Sequence, residues 1–127
     1  MAYGTIAADF VQSSTASVAP VFRDGNSVEI GRMCRAWISF DGTLSSPIAG
    51  KASFNMSSIT KNSTGNYTFN FAAAFADVNF AGNMTTRNGS IAGISQGTTT
   101  TSTMTFLTTN TAGTSTDSTD NGFAAFR

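Results

Sequence analysis

The clearest alternation of hydrophobic and polar positions in the chain is "NYTFNF", where Tyr67, Phe69 and Phe71 interleave with Thr68 and Asn70. A period of two puts one set of side chains on one face of an extended segment, so a half-buried strand is predicted here. Read the same way from Ile30, the residues Ile30, Arg32, Cys34, Ala36, Ile38 and Phe40 share one face, and Gly31, Met33, Arg35, Trp37 and Ser39 share the other. The first face is mostly apolar. On the second, Arg35 separates Met33 from Trp37, and its alkyl stem can lie along apolar surface with the charged head in water. "DGT", Asp41 to Thr43, ends this strand in a turn, because Gly tolerates positive φ.

The stretch "SFNMSSIT" is predicted to pair with "NYTFNF" as a hairpin through the polar segment Lys61 to Asn66, hinged at Gly65. In that hairpin Phe54 and Met56 are expected opposite the Tyr67, Phe69 and Phe71 face. "DVNFAGNMT" suggests a further strand through Val78, Phe80 and Met84. The C-terminal third is Thr-rich enough to pass for a linker, but Met104, Phe106 and Leu107 argue for a strand, and β-branched Thr is compatible with one. The ending "GFAAFR" carries Phe123 and Phe126 and reads as a terminal strand tied into a sheet. "RNGSIAGISQG" and "TAGTSTDSTDNG" are the longest expected loops. Residues 1–30 are less regular, with extended stretches around Ile6 to Val11 and Val18 to Phe22 and a turn at Asp24-Gly25-Asn26. They read as an attachment arm or a first hairpin, and residues 31–127 as a single β-sandwich domain.

Composition supports this picture. The chain has 127 residues, a length at which one core buries roughly two thirds of the unfolded surface. Hydrophobic residues make up 40%, eleven residues are Phe, and only 11% are charged, so Ser, Thr and Asn supply most of the polarity. Thr and Phe suit strands, Ser, Asn and Gly suit turns, and strong helix formers are scarce, which gives an all-β expectation. Seven basic residues balance seven acidic ones. With no basic face, nucleic acid and anionic membrane are not expected partners. The start "MAYGTIAADF" lacks the features of a signal peptide, and no apolar run reaches membrane-spanning length, so membrane insertion is not expected.

The side chains on offer point away from catalysis. There is no His, which removes the commonest general base. The carboxylates Asp9, Asp24, Glu29, Asp41, Asp77, Asp117 and Asp120 fall mostly in predicted turns rather than converging. "DSTDNG" resembles a calcium loop only superficially, since it lacks alternating ligands and a distal Glu. Cys34, alone in the chain, is expected to be a small buried hydrophobe. Trp37 offers a surface for stacking on a sugar ring, but the expectation favours a core or subunit-interface role, because aromatic side chains dominate burial energetics. No catalytic residue, cofactor or metal is expected.

"CRAWISFDG", followed by "ASFNMSSITKNSTGNYTFNFAAAFADVNFAG", resembles a module of tail fibres and other small structural proteins of tailed bacteriophages, especially marine and cyanobacterial ones. The matching residues are Arg35, Ala36, Trp37, Phe40, Asp41 and Gly42; then Ser53, Phe54, Asn55, Ser57, Ser58, Ile59 and Thr60; then Gly65, Tyr67, Thr68 and Phe71; and finally Asp77, Asn79 and Phe80. The ordered match covers about 31–82, with an echo in "GFAAFR". The resemblance implies an antiparallel, jelly-roll-like β-sandwich, assembled as a homotrimer and displayed on the virion after synthesis in the host cytoplasm. It implies contact with other virion proteins and with a host surface glycan or protein. The chain is too short to contain a fibre shaft, so a short fibre, a fibre tip or a decoration subunit is expected. Receptor contacts are expected in the unmatched loops, at Arg87, Asn88, Ser95, Gln96, Asn110, Thr114, Asp117 and Asp120, and a subunit interface at Met33 and Trp37. The alternative expectation is a capsid or tail decoration or adaptor protein with a purely structural role.

Overall fold

The structure is a computed structural model that describes residues 11–12, 20–87, 90–95 and 97–127. The described residues form antiparallel strands and no helix. Two compact units divide the chain, Met1–Met33 and Cys34–Arg127.

In the first unit, β1 (Val21–Arg23) pairs antiparallel with β2 (Glu29–Arg32). Asp24 closes the turn between them, its Oδ1 accepting the backbone N–H groups of Asn26 and Val28. Such side-chain-to-backbone bonding makes Asp a turn former. The expected turn at Asp24-Gly25-Asn26 is therefore present, within a hairpin. Of the expected extended stretches, Ile6–Val11 lies outside the described residues except for Val11, while Val21 and Phe22 of Val18–Phe22 are in β1 and Val18 and Ala19 lie outside the described residues. The single strand expected from Ile30 to Phe40 is instead two, β2 and β3, interrupted at Met33.

The second unit holds eight strands: β3 (Cys34–Phe40), β4 (Gly50–Phe54), β5 (Met56–Ser63), β6 (Asn66–Phe71), β7 (Ala81–Thr86), β8 (Ser90–Ser95), β9 (Thr103–Asn110) and β10 (Asn121–Phe126). They form two four-stranded antiparallel sheets, ordered β4-β3-β10-β7 and β5-β6-β9-β8. Three connections are hairpins within a sheet, β3–β4, β5–β6 and β8–β9, and the other four cross between the sheets. The inward faces meet in one core: Ala36, Ile38, Phe40, Met84, Phe123 and Ala125 from the first sheet against Ile59, Tyr67, Phe69, Phe71, Met104 and Phe106 from the second. Phe69 stacks on Phe123 at 4.2 Å, and Phe40 meets the edges of Tyr67 and Phe69 at 5.3 and 5.6 Å. Offset and edge-on ring pairs of this kind add to the area that they bury.

The alternation at Tyr67, Phe69 and Phe71 is inward and buried, and so are Ala36, Ile38 and Phe40 on β3. Three expectations need correction. Phe54 does not join Met56 opposite Phe71. It ends β4 in the first sheet, pairing with Trp37, while Met56 opens β5 in the second and pairs with Phe71. The reversal happens at Asn55, whose φ of 54° lies in the left-handed region that Asn tolerates better than most residues. Its amide Nδ2 donates to the Arg35 and Ala73 carbonyls, and its Oδ1 accepts from the Ala73 N–H. The strand expected through Val78 begins only at Ala81, and Val78 is exposed. The segment expected as a loop after Arg87 is largely strand β8, paired with β9.

Candidate functional site

The outward face of the β4-β3-β10-β7 sheet carries an ordered set of side chains, laid out by strand register. One cross-sheet row is Phe54, Trp37, Ala124 and Asn83, and the next is Ala52, Ser39, Gly122 and Thr85. Two residues further along, Asp120 lies on the β10 side and Arg87 on the β7 side, and the Arg87 N–H donates to the Asp120 carbonyl at 3.0 Å, one step beyond the strand ladder. Lys51 stands out of register between Ala52 and Gly50, and its Nζ donates to Asp120 Oδ1 at 2.7 Å and to the Thr119 carbonyl at 3.0 Å. An aromatic row, a row of small residues and a charged row thus follow one another along the strands. Rows two residues apart are about 6.6 Å from one another, so the aromatic and charged ends are about 13 Å apart.

Exposure on the aromatic row is high for side chains of this size: 55% for Phe54, 40% for Trp37, and 44% for Phe126 two residues beyond Ala124. A shallow groove of about 360 Å³ runs over Trp37, Ser39, Asn83, Thr85, Ala124 and Phe126, with no charged residue in its lining. A second, of about 380 Å³, is lined by Ser39, Thr85, Thr86, Arg87 and Asp120. The two share Ser39, Thr85 and Gly122, so they form one channel, and each lies within the range of about 300–1,000 Å³ common for ligand sites. Gly122 keeps the channel open at its middle, since a Cβ there would lie 2.9 Å from Thr85 Oγ1.

Electrostatically the polar end is balanced. A hydrogen bond from Lys51 and the Lys51 charge hold the Asp120 carboxyl below its ordinary value, with Arg87 adding to the effect and Asp41 opposing it. Asp41 is lowered too, first by hydrogen bonds from the Thr43 hydroxyl and N–H. Two carboxylates and two cations therefore share this end.

A second cluster surrounds Asp117. Its Oδ1 accepts from Tyr67 Oη and from the Gly65 N–H, both at 2.7 Å, and its Oδ2 pairs with Lys61 Nζ at 2.6 Å. Lys61 Nζ and Tyr67 Oη also donate to the Gly42 carbonyl, at 2.9 and 3.2 Å. Burial pushes the Asp117 carboxyl up, but the hydrogen bonds from Lys61, Gly65 and Tyr67 outweigh it and hold it below the usual range. The Tyr67 hydroxyl is pushed up, first by burial and then by Asp117. Every contact in this cluster is internal, so it ties three turns together.

The residues expected to contact a receptor are thereby scattered. Arg87 and Asp120 come together on the sheet face. Asp117 is committed to the fold. Asn110 organises its own turn, its Oδ1 accepting the N–H groups of Ala112 and Thr114, and Thr114 is exposed there. Ser95 ends β8, and Asn88 and Gln96 lie outside the described residues. Of the expected interface pair, Met33 is an exposed residue of the first unit, and Trp37 lines the groove. Sequence reading missed Lys51, Phe54, Ser39, Thr85 and Gly122 as members of one face; the alternation along β3 and the Trp37 exposure it implies were the available signal. Among the described residues no group of His, Cys, Asp and Glu is placed to hold a metal ion, and no helix is long and apolar enough to cross a membrane. No family model, curated protein or solved structure matches this chain.

Proposed function

We propose that this chain is a bacteriophage virion protein of the tail-fibre type, a trimeric β-domain that contacts the bacterial surface. The observation that carries the reading is where the motif residues of the resemblance fall. Gly42 backs onto Tyr67 and Asn121, Asn55 turns the chain from one sheet to the other, Gly65 has φ of 70° in the β5–β6 turn, and Asp77 pairs with Arg127. These are positions where the sandwich demands a particular residue, so a shared motif argues for a shared module rather than for chance composition. A surface poor in charge and rich in hydroxyls and amides suits an assembled, externally displayed particle. Weak contacts repeated over three copies would add up to firm attachment. The jelly-roll description is not carried over, because three of the connections are hairpins within a sheet.

The test is adsorption: at saturating concentration the purified protein is expected to block attachment of the encoding phage to its host. Unimpaired adsorption with the host surface saturated overturns the reading. A second reading, a decoration or adaptor subunit, is favoured by the exposed aromatics Phe54, Trp37 and Phe126, which another virion protein would cover. Labelled antibody on intact virions separates the two, by tail or capsid location and by whether the epitope at Trp37 is accessible.

A further inference from the structure

The chemistry of the β4-β3-β10-β7 face points to a binding site for an uncharged oligosaccharide, and we infer that a short run of pyranose rings lies along the channel from Trp37 to the Arg87–Asp120 end. A pyranose has an apolar face of C–H groups and a rim of hydroxyls that both donate and accept. The channel offers the matching sequence of surfaces. The exposed ring of Trp37, flanked across the strands by Phe54, gives an apolar platform at one end. Ala52, Ser39 and Gly122 leave the middle flat enough for a ring to approach the sheet. At the other end, Asp120 Oδ2 makes no hydrogen bond to a described residue and is an acceptor, while the Arg87 guanidinium, which has no ion pair among the described residues, is a donor. An acceptor and a fork of donors on two residues that line the same groove and meet through their backbones match a pair of neighbouring hydroxyls. Thr85, Thr86, Asn83 and Ser39 supply further neutral partners along the way.

Charge balance selects the class. Asp41 follows Phe40, which pairs with Asn121 next to Asp120, Lys51 bonds Asp120, and Arg87 lines the same groove, so two carboxylates offset two cations; neither a polyuronate nor a cationic chain gains from the site as a whole, and a neutral one loses nothing. Size argues against a second copy of the chain as the occupant. Four strands about 4.8 Å apart and five to seven residues long present roughly 380 Å² in plan, well below the approximately 800 Å² per partner of a standard protein interface. The inference does not rest on the virion reading: a chain that fails the adsorption test can still bind a saccharide here, and the reverse.

Trp37 is the single Trp of the chain, so its emission reports on this face alone. The full chain is titrated with neutral hexasaccharides of α-glucose, β-glucose, β-N-acetylglucosamine and α-rhamnose, with hexagalacturonate as the charged control. A saturable change in emission is expected with at least one neutral probe, with Kd of about 1 mM or tighter, and a weaker response to the control. Gly122→Val, which keeps the reporter and fills the middle of the channel, is expected to weaken binding at least about tenfold with the circular dichroism unchanged. Calorimetry of Trp37→Ala is expected to give a similar loss. If Gly122→Val does not fold, Arg87→Gln on the exposed rim serves in its place, with the same expectation. An unchanged emission with every neutral probe overturns the inference, as does binding that survives Gly122→Val or Arg87→Gln in a folded protein. So does an emission shift that follows protein concentration together with a rise in mass, because the face is then covered by another copy.

Discussion

At the scale of single residues, Asp117 and Tyr67 decide how the turns at one end of the sandwich are held. Tyr67 is fully buried, so its hydroxyl needs partners, and it finds them in Asp117 and the Gly42 carbonyl. Tyr67→Phe removes the hydroxyl that donates to Asp117 and to the Gly42 carbonyl while leaving Asp117 to Lys61 and Gly65, and a loss of about 1–2 kcal/mol is expected in urea unfolding. Asp117→Asn leaves Lys61 without its ion-pair partner, and about 1–3 kcal/mol is expected. The pH dependence has a fixed sign. A carboxyl whose folded pKa lies below its unfolded value stabilises the fold above the unfolded value, about 3.9, and that contribution is lost as pH falls through the folded one. The Tm of the native chain is therefore expected to drop below about pH 4, and less steeply for Asp117→Asn. Asp41 and Asp120 are lowered in the same direction but are exposed to solvent screening, so Asp117→Asn should remove a distinguishable part of the slope.

At the scale of elements, the crossing at Asn55 separates backbone from side-chain effects. Asn55 supplies both a left-handed φ and hydrogen bonds to Arg35 and Ala73 across the β4–β5 reversal. Asn55→Gly keeps the first and loses the second; Asn55→Ala loses both. Thermal unfolding should rank native above Gly above Ala, with the Ala variant lower by about 2 kcal/mol or more, and equal losses would mean that φ contributes little. This crossing also marks the boundary of what the sequence revealed. β6 and β3 were readable because each has one wholly buried face, which imposes alternation on the chain. Phe54 was misplaced because "SFNMSSIT" alternates smoothly through Asn55, and nothing in the pattern says that the chain changes sheet there. β8 was hidden because "SIAGIS" mixes Gly and Ser, which read as loop, and its pairing with β9 is a tertiary fact. The charged row was invisible for another reason: Lys51 and Asp120 are 69 residues apart, and only the placement of β10 between β3 and β7 unites them with Arg87.

At the scale of the whole molecule, the distribution of apolar contacts bears on which part of the chain carries its stability. Every member of the buried core, from Ala36 to Ala125, belongs to the unit Cys34–Arg127, and so do the half-buried Met56, Phe80 and Ala92 packed on it. Among the described residues of the first unit, Phe22, Val28, Ile30 and Met33 are exposed, and none is a member of that cluster. A single contiguous core is the condition for cooperative unfolding of a small domain. A chain of residues 34–127 is therefore expected to unfold in one transition, with a urea midpoint close to that of the full chain and a slope reduced only in proportion to the surface removed. Phe69→Ala, at the centre of the stacked rings, should cost about 3–5 kcal/mol in both contexts. Equal costs mean that the core responds independently of residues 1–33. A broad, non-cooperative transition of the shorter chain would mean instead that the first unit supplies part of the fold's stability, and that the division into two units is one of contacts but not of energetics.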